Sequence, residues 1–222
     1  MEKKFSQILS EAANALGIAL GERELSLFAA YYGELLAWNS KINLISVKSD
    51  RDIIIKHFID SLTLLPYISD NSCRILDIGS GAGFPGIPLK IAVSSLKVFL
   101  LESSRKKSSF LKHVTRSLGL TDAVVIHNRA QFLMEDEAYG GYFQIVTSRA
   151  TAKLPEFLRM GAFFLAADGF LIAMKGKKSD QELTEAAGMS YGLGLEYIGS
   201  HDLTLPITGD FRRLIIYKKL FS

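Results

Sequence analysis

Residues 75–86 read Ile-Leu-Asp-Ile-Gly-Ser-Gly-Ala-Gly-Phe-Pro-Gly, an apolar run that delivers one carboxylate, Asp77, to a glycine-rich turn. Glycines at 79, 81 and 83 let a backbone approach a ligand, and a helix starting just beyond presents unpaired N–H groups to it. A second carboxylate, Glu102, closes another apolar run 25 residues after Asp77. An ionised carboxylate there accepts hydrogen bonds from ribose hydroxyls. Loop and carboxylate together describe a site for a nucleoside cofactor.

Two chemistries fit that site. Gly81 to Gly86 has the spacing G-x-G-x-x-G with Glu102 about 20 residues on, as in dinucleotide-binding folds, which keeps an NAD-dependent oxidoreductase open. Against NAD, the loop opens earlier, at Gly79, and Pro85 removes one backbone donor for a pyrophosphate. Asp77, two positions before the loop, is placed to meet the amino group of a methionine moiety. The pattern Asp77-x-Gly79-x-Gly81-x-Gly83 resembles the first motif of S-adenosylmethionine-dependent methyltransferases.

The elements that must position these residues follow from periodicity. The first 70 residues read as helical, with core stripes at Ile8, Leu9, Ala12, Ala15, Leu16 and at Leu25, Phe28, Ala29, Tyr32, Leu35, Leu36. A third helix starts at the N-capping pair Ser49-Asp50 and runs through Ile54, Phe58, Leu62 and Leu65 to a stop near Pro66. The pattern changes near Asp70-Asn71-Ser72, dividing the chain into a helical segment, 1–70, that packs on an α/β domain, 71–222. Strands are predicted over 74–78, 97–101, 123–127, 143–147 and 170–174, with helices over 86–93, 105–118, 154–166 and 181–187. That alternation implies parallel βαβ units. Two further strands, 195–198 and 214–217, have no helix between them and predict an antiparallel hairpin at the sheet edge. The whole is a mostly parallel seven-stranded α/β sheet preceded by helices.

Composition narrows the field from another side. The 222 residues are 48% hydrophobic and 22% charged, within the globular range. The lone cysteine, Cys73, excludes an intramolecular disulfide and any multi-cysteine metal site, and a reducing cytoplasm follows. Gln7 and Glu11 interrupt any export signal, and Asp168-Gly169 interrupts the apolar stretch 161–174, so neither secretion nor a membrane is expected. Four scattered histidines give no metal spacing, and no metal is expected. The net charge of +3 conceals a basic middle: residues 71–130 carry 9 basic and 3 acidic side chains, +6, between mildly acidic flanks. Arg105, Lys106 and Lys107 follow Glu102 at the ligand edge of the sheet, and Lys175 ends another strand there, a track suited to phosphates.

Four ordered motifs then carry a family resemblance over nearly the whole chain: residues 38–47 (Trp-Asn-Ser-Lys-Ile-Asn-Leu-Ile-Ser-Val), 56–61 (Lys-His-Phe-Ile-Asp-Ser), the glycine loop, and Ser148-Arg149-Ala150. In that order they resemble the 16S rRNA 7-methylguanosine methyltransferase family, RsmG, also called GidB. The resemblance implies a Rossmann-like methyltransferase fold and S-adenosylmethionine contacts at Gly79, Phe84, Ala130, Gln131 and Arg149. Glu102 would take the ribose. Position 131, often acidic in the family, is Gln here, an amide that accepts through its carbonyl but adds no negative charge. The implied substrate is N7 of a guanine in the 530-loop region of 16S rRNA, and the implied partner is the small ribosomal subunit, met by a monomer. A third possibility is a non-catalytic RNA-binding assembly factor, which the intact loop and carboxylates argue against.

Guanine N7 carries an exposed lone pair, so no general base is required, and rate should come from in-line alignment. A guanidinium that held guanine O6 and N7 together would occupy the attacking lone pair. Arg149 is therefore expected to hold the cofactor or an RNA phosphate. Trp38 is expected in the core and Asn39 and Asn43 as helix caps that order the next loop. His57 and Asp60 form an i, i+3 pair for which a structural role is expected.

Overall fold

The computed structural model describes residues 2–46, 49–68, 72–149, 152–177 and 179–220. The expected boundary at Asp70-Asn71 and the motif residues Val47 and Ala150 lie outside these.

Helices α1 (Glu2–Ala15) and α2 (Glu22–Asn39) form as their stripes require. The Gly21 N–H donates to the Glu24 carboxylate at 3.0 Å at the start of α2. At its end, Asn39 Oδ1 accepts from the N–H groups of Leu44 and Ile45 at 2.8 and 2.9 Å, so the side chain orders the following loop, as its position predicted. The third segment begins where expected, with Ser49 Oγ accepting from the Asp52 N–H. It is not one regular helix. A turn of α-helix, α3 (Asp50–Ile53), widens into a π-helical stretch over Ile54–Ile59 and returns as α4 (Asp60–Leu62). In this register the Asp60 N–H reaches back to the carbonyl of Ile55, and the Lys56 carbonyl accepts from Arg149.

The α/β part runs β1 (Arg74–Ile78), α5 (Gly86–Ala92), β2 (Lys97–Leu101), α6 (Arg105–Ser117), β3 (Ala123–Ile126), α7 (Ala130–Leu133), β4 (Phe143–Arg149), α8 (Leu154–Phe164), β5 (Leu165–Lys175), α9 (Asp180–Ala187), β6 (Leu195–Thr204) and β7 (Phe211–Lys219). The sheet order is β3-β2-β1-β4-β5-β7-β6, and β7 alone runs against the rest. The hairpin sits at the predicted edge, longer than the apolar pattern suggested. β5 starts at Leu165, directly after α8, and the pairing of β4 with β5 shifts register between Phe143 and Ile145. The four-residue α7 had no periodic signal.

Strand alternation sends side chains to two cores. Ile75, Val98 and Leu100 pack beneath Phe5, Leu9, Phe28 and Phe58 of the N-terminal helices, while Leu76, Leu101 and Val146 pack with Phe157 and Leu171 on the other face. Trp38 joins the first core, its ring 5.6 Å from that of Phe110 and 5.2 Å from that of His113. From β1 the chain winds outward to β2 and β3 and then returns to β4 on the other side. The β1/β4 boundary is thus a topological switch point, where open parallel sheets bind ligands beyond the C-terminal strand ends. The glycine loop follows β1 there.

Candidate functional site

The loop is pinned from three sides. Below it, the N–H groups of Gly79 and Ser80 donate to the Leu101 carbonyl at 2.8 and 3.1 Å, fastening it to the end of β2. At its rim, Gly81 N–H donates to Glu102 Oε2 at 2.8 Å, and Ser104 N–H to Oε1 at 2.7 Å. Behind it, the Tyr31 hydroxyl of α2 donates to the Ala82 carbonyl. A Cβ added at Gly81 would meet only the Gly79 carbonyl, at 3.8 Å, so the backbone lies open to an approaching ligand.

Glu102 stands where a ribose acceptor was expected. Its two backbone bonds fix the carboxylate and use about half of its acceptor capacity. Asp77 is placed differently from the expectation that it meets a cofactor directly. It alternates to the face where α5 packs, is fully buried, and accepts from the Gly86 N–H at 3.0 Å through Oδ2. Among the described residues its Oδ1 meets no hydrogen-bonding partner, and burial pushes its pKa up to about 7. The glycine at 86 is needed for this approach, since a Cβ there would run into Leu100.

Two clefts open over the strand ends. One, of about 490 Å³, is lined by Gly79, Gly81, Phe84, Glu102, Lys107, His57 and Arg149. The other, of about 330 Å³, is lined by Gly79, Ser103, Ala130, Gln131 and Glu156. They share Gly79 and Ser103, so a ligand bridging both would pass Glu102. Seven of the eight expected cofactor residues, Gly79, Gly81, Phe84, Glu102, Ala130, Gln131 and Arg149, thus line these two adjoining clefts. The exposed Gln131 amide reaches Glu156 Oε1 at 3.4 Å.

Arg149 ends β4 and belongs to a buried polar cluster that sequence reasoning missed as a unit. Its Nη1 donates to the Lys56 carbonyl at 2.8 Å and lies 3.4 Å from Asp60 Oδ2, and its Nη2 is 2.8 Å from His57 Nδ1. Arg212 of β7 donates to the other oxygen of Asp60 at 3.0 Å. Phe84 packs under the group, 5.0 Å from the His57 ring in a stacked arrangement and 5.0 Å from the Arg149 guanidinium. Burial pushes Asp60 up and Arg149 down in spite of their attraction, and burial together with the surrounding cations pushes His57 down to about 3. His57 and Asp60 converge on Arg149, a contact across 92 residues that their i, i+3 spacing did not reveal. Tyr31, one residue before the stripe position Tyr32, gave no signal at all.

The expected phosphate track divides. Arg105 and Lys106 are exposed at the start of α6, and half-buried Lys107 turns toward the larger cleft. Lys175 is held elsewhere: its ammonium donates to Glu182 at 2.8 Å and to the Ala152 carbonyl at 2.7 Å, so its charge is matched within the protein. Lys178, three residues after Lys175 and expected to extend the track, lies outside the described residues. Among the described residues no group of three potential ligands could hold a metal ion, and no helix is long and apolar enough to cross a membrane.

Solved structures share this fold. The chain aligns with M. jannaschii TYW2 in complex with AdoMet at a TM-score of 0.56 and 15% identity, over 72% of this chain and 74% of that one. It aligns with a precorrin-6y C5,15-methyltransferase from Geobacter metallireducens at a TM-score of 0.53 and 16% identity, over 74% and 88%. Sequence relatives are much nearer. A ribosomal RNA small subunit methyltransferase G from Syntrophus aciditrophicus is 46% identical over 222 residues, 99% of this chain and 91% of the relative. One of the same name from Geotalea uraniireducens is 40% identical over 220 residues, 99% of each. The family model described as GidB, rRNA small subunit methyltransferase G, matches residues 24–193. With a loop, a carboxylate and a buried arginine cluster placed around one cleft, and with relatives aligned end to end, the chain belongs to the GidB family of small-subunit rRNA methyltransferases.

Proposed function

We propose that this chain transfers the methyl group of S-adenosylmethionine to N7 of a guanine in the 530-loop region of 16S rRNA. The observation that carries the reading is the depression from Gln131 to Phe84, floored by Gly79 and Gly81 with Glu102 at its rim, in a chain of this family. When bound, S-adenosylmethionine supplies an electrophilic methyl group on a sulfonium. Glu102 is positioned to accept from the ribose hydroxyls, Ala130 and Gln131 to border the adenine, and the Gly79–Gly81 backbone to let the donor lie close. Asp77 acts from beneath, holding the loop to the first turn of α5.

The remaining groups align and do not exchange protons. Guanine N7 attacks through a lone pair it already has, and His57, the imidazole beside the cleft, is held neutral. Holding nitrogen, carbon and sulfur in line converts an encounter in solution into a step within one complex. Arg149 backs the methyl-transfer region through contacts to Asp60, His57 and the Lys56 carbonyl. Arg105, Lys106 and Lys107 are suited to RNA phosphates where the substrate would approach. Lys175 would join them only at the expense of its ion pair with Glu182. We further read the protein as a cytoplasmic monomer, a reading supported by the ribosomal subunit as its substrate.

The deciding experiment incubates small subunits from a strain lacking the modification with labelled S-adenosylmethionine and maps the modified base. Label on a guanine N7 of 16S rRNA is the expected result. Label on another atom, or none, overturns the reading. Calorimetry with S-adenosylmethionine and with NAD separates it from an oxidoreductase: heat of binding with NAD alone would favour the latter.

A further inference from the structure

The methyl-donor cleft has a neighbour. A further cleft of about 420 Å³ is bordered by Lys56, Asp60, Met174 and Arg212, and His57 and Arg149 line both spaces. Ser46 lines both as well, so these three residues form the partition at whose edge the site for the donor meets a second, adjacent site.

The hydrogen bonding of that partition fixes where its proton sits. A guanidinium has donors only, so His57 Nδ1, 2.8 Å from Arg149 Nη2, must be the acceptor. The neutral ring then carries its hydrogen on Nε2. Burial and the charges of Arg149, Arg212 and Lys56 keep the ring neutral, with its pKa pushed down to about 3. Among the described residues Nε2 meets no hydrogen-bonding partner, and it is not one of the polar atoms sealed from solvent without one. Stacking on Phe84 holds the plane of the ring. The partition thus presents a single, oriented N–H.

We propose that His57 reads the target base: its Nε2–H donates to O6 of a guanine lodged in the second cleft, leaving the neighbouring N7 lone pair free to face the donor methyl group. The inference rests on the reading of the chain as a guanine-N7 methyltransferase and names the residue that selects the base. Guanine presents O6 and N7 side by side, whereas adenine presents an amino donor next to N7, which an N–H would meet head on. A single donor suits this reaction better than a forked one, because only O6 is engaged. Arg149, with its guanidinium nitrogens on the Lys56 carbonyl, Asp60 and His57, is held back from N7. No proton leaves His57. The N7–methyl bond forms as the sulfur–methyl bond breaks, and the positive charge passes from sulfur to the purine ring.

The test is a cycle between residue and base. Small subunits are reconstituted with either guanine or 2-aminopurine, which keeps N7 and lacks O6, at the mapped position, and single-turnover methylation is followed with wild type, His57→Phe and His57→Gln. The wild type should favour guanine by about 10- to 100-fold, the range expected for one buried hydrogen bond. His57→Phe, which keeps a stacked ring without the donor, should methylate both bases at similar rates, and His57→Gln should regain part of the preference. Comparing ratios cancels intrinsic differences in N7 reactivity. A wild type that treats both bases alike, or a His57→Phe variant that keeps the full preference, overturns the proposal. Should His57→Phe fail to fold, the wild-type and His57→Gln ratios still decide. A wild type that methylates neither base shows that the parent reading has failed.

Discussion

Two buried side chains beside the glycine loop titrate in opposite senses. In the unfolded chain His57 would protonate near 6.5, but in the fold it resists until about 3, so its contribution to stability is lost as pH falls through that window. Asp77 keeps its proton up to about 7 in the fold and loses it near 3.8 when unfolded, so its contribution is lost as pH rises between those values. Between about pH 4 and 6.5 the two oppose each other. Asp77→Asn should make the unfolding free energy rise with pH across that window, and His57→Gln should make it fall, each by about 3 kcal/mol at most. Urea titrations at several pH values check this, and slopes of the same sign in both variants would refute it. The sequence made the loop, Glu102 and the lone-pair chemistry legible because each is local to a few consecutive residues. It hid the fate of Asp77, since a strand pattern says that a residue alternates but not which face the next helix will cover. It also hid the meeting of Arg149 with His57 and Asp60, whose partners lie 89 and 92 residues away along the chain.

At the scale of elements, α2 is more than a cover for the sheet. Its Tyr31 is fully buried and passes a hydrogen bond to the loop carbonyl at Ala82, and burial raises its phenol pKa well above the ordinary value. Tyr31→Phe keeps the ring that packs on Phe58 and Phe84 and removes only the hydroxyl. It should cost about 1 kcal/mol of stability and weaken S-adenosylmethionine binding several-fold, read by denaturant midpoint and calorimetry. Unchanged binding would mean that the loop keeps its shape without α2. The helical stripe that includes Tyr32 and Leu35 was plain from the sequence, but a phenol that fastens a loop 51 residues onward has no periodic signature. Nor has the π-helical stretch Ile54–Ile59: its apolar residues fit an ordinary helix, and the widened turn shows only in which carbonyl is left for Arg149.

For the whole molecule, the charge read along the chain is only partly available to a polyanion. Lys175, Lys56, Arg149 and Arg212 all face carboxylates inside the protein, whereas Arg105 and Lys106 are exposed at the start of α6. Replacing Arg105 and Lys106 with Gln should flatten the dependence of log K for small-subunit RNA on log salt by about 1–2 units, with S-adenosylmethionine affinity unchanged. Filter binding across a salt series measures it, and an unaltered slope would remove α6 from the RNA surface. The count of strands and the terminal hairpin were legible from alternation and from the lack of a helix between the last two. The sequence did not show that β7 inserts between β5 and β6 and so carries Arg212 to Asp60.

That last contact sets an order of completion. Asp60 and Arg149 are both synthesised before the strand that brings the second guanidinium, 152 residues beyond Asp60. A chain without β7 would hold the loop, Glu102 and His57, yet keep a buried carboxylate with one counter-charge where the chain with β7 has two. The cleft that Arg212 borders is therefore complete only once β7 is in place, and chains truncated before residue 211 should capture less S-adenosylmethionine than chains that include β7.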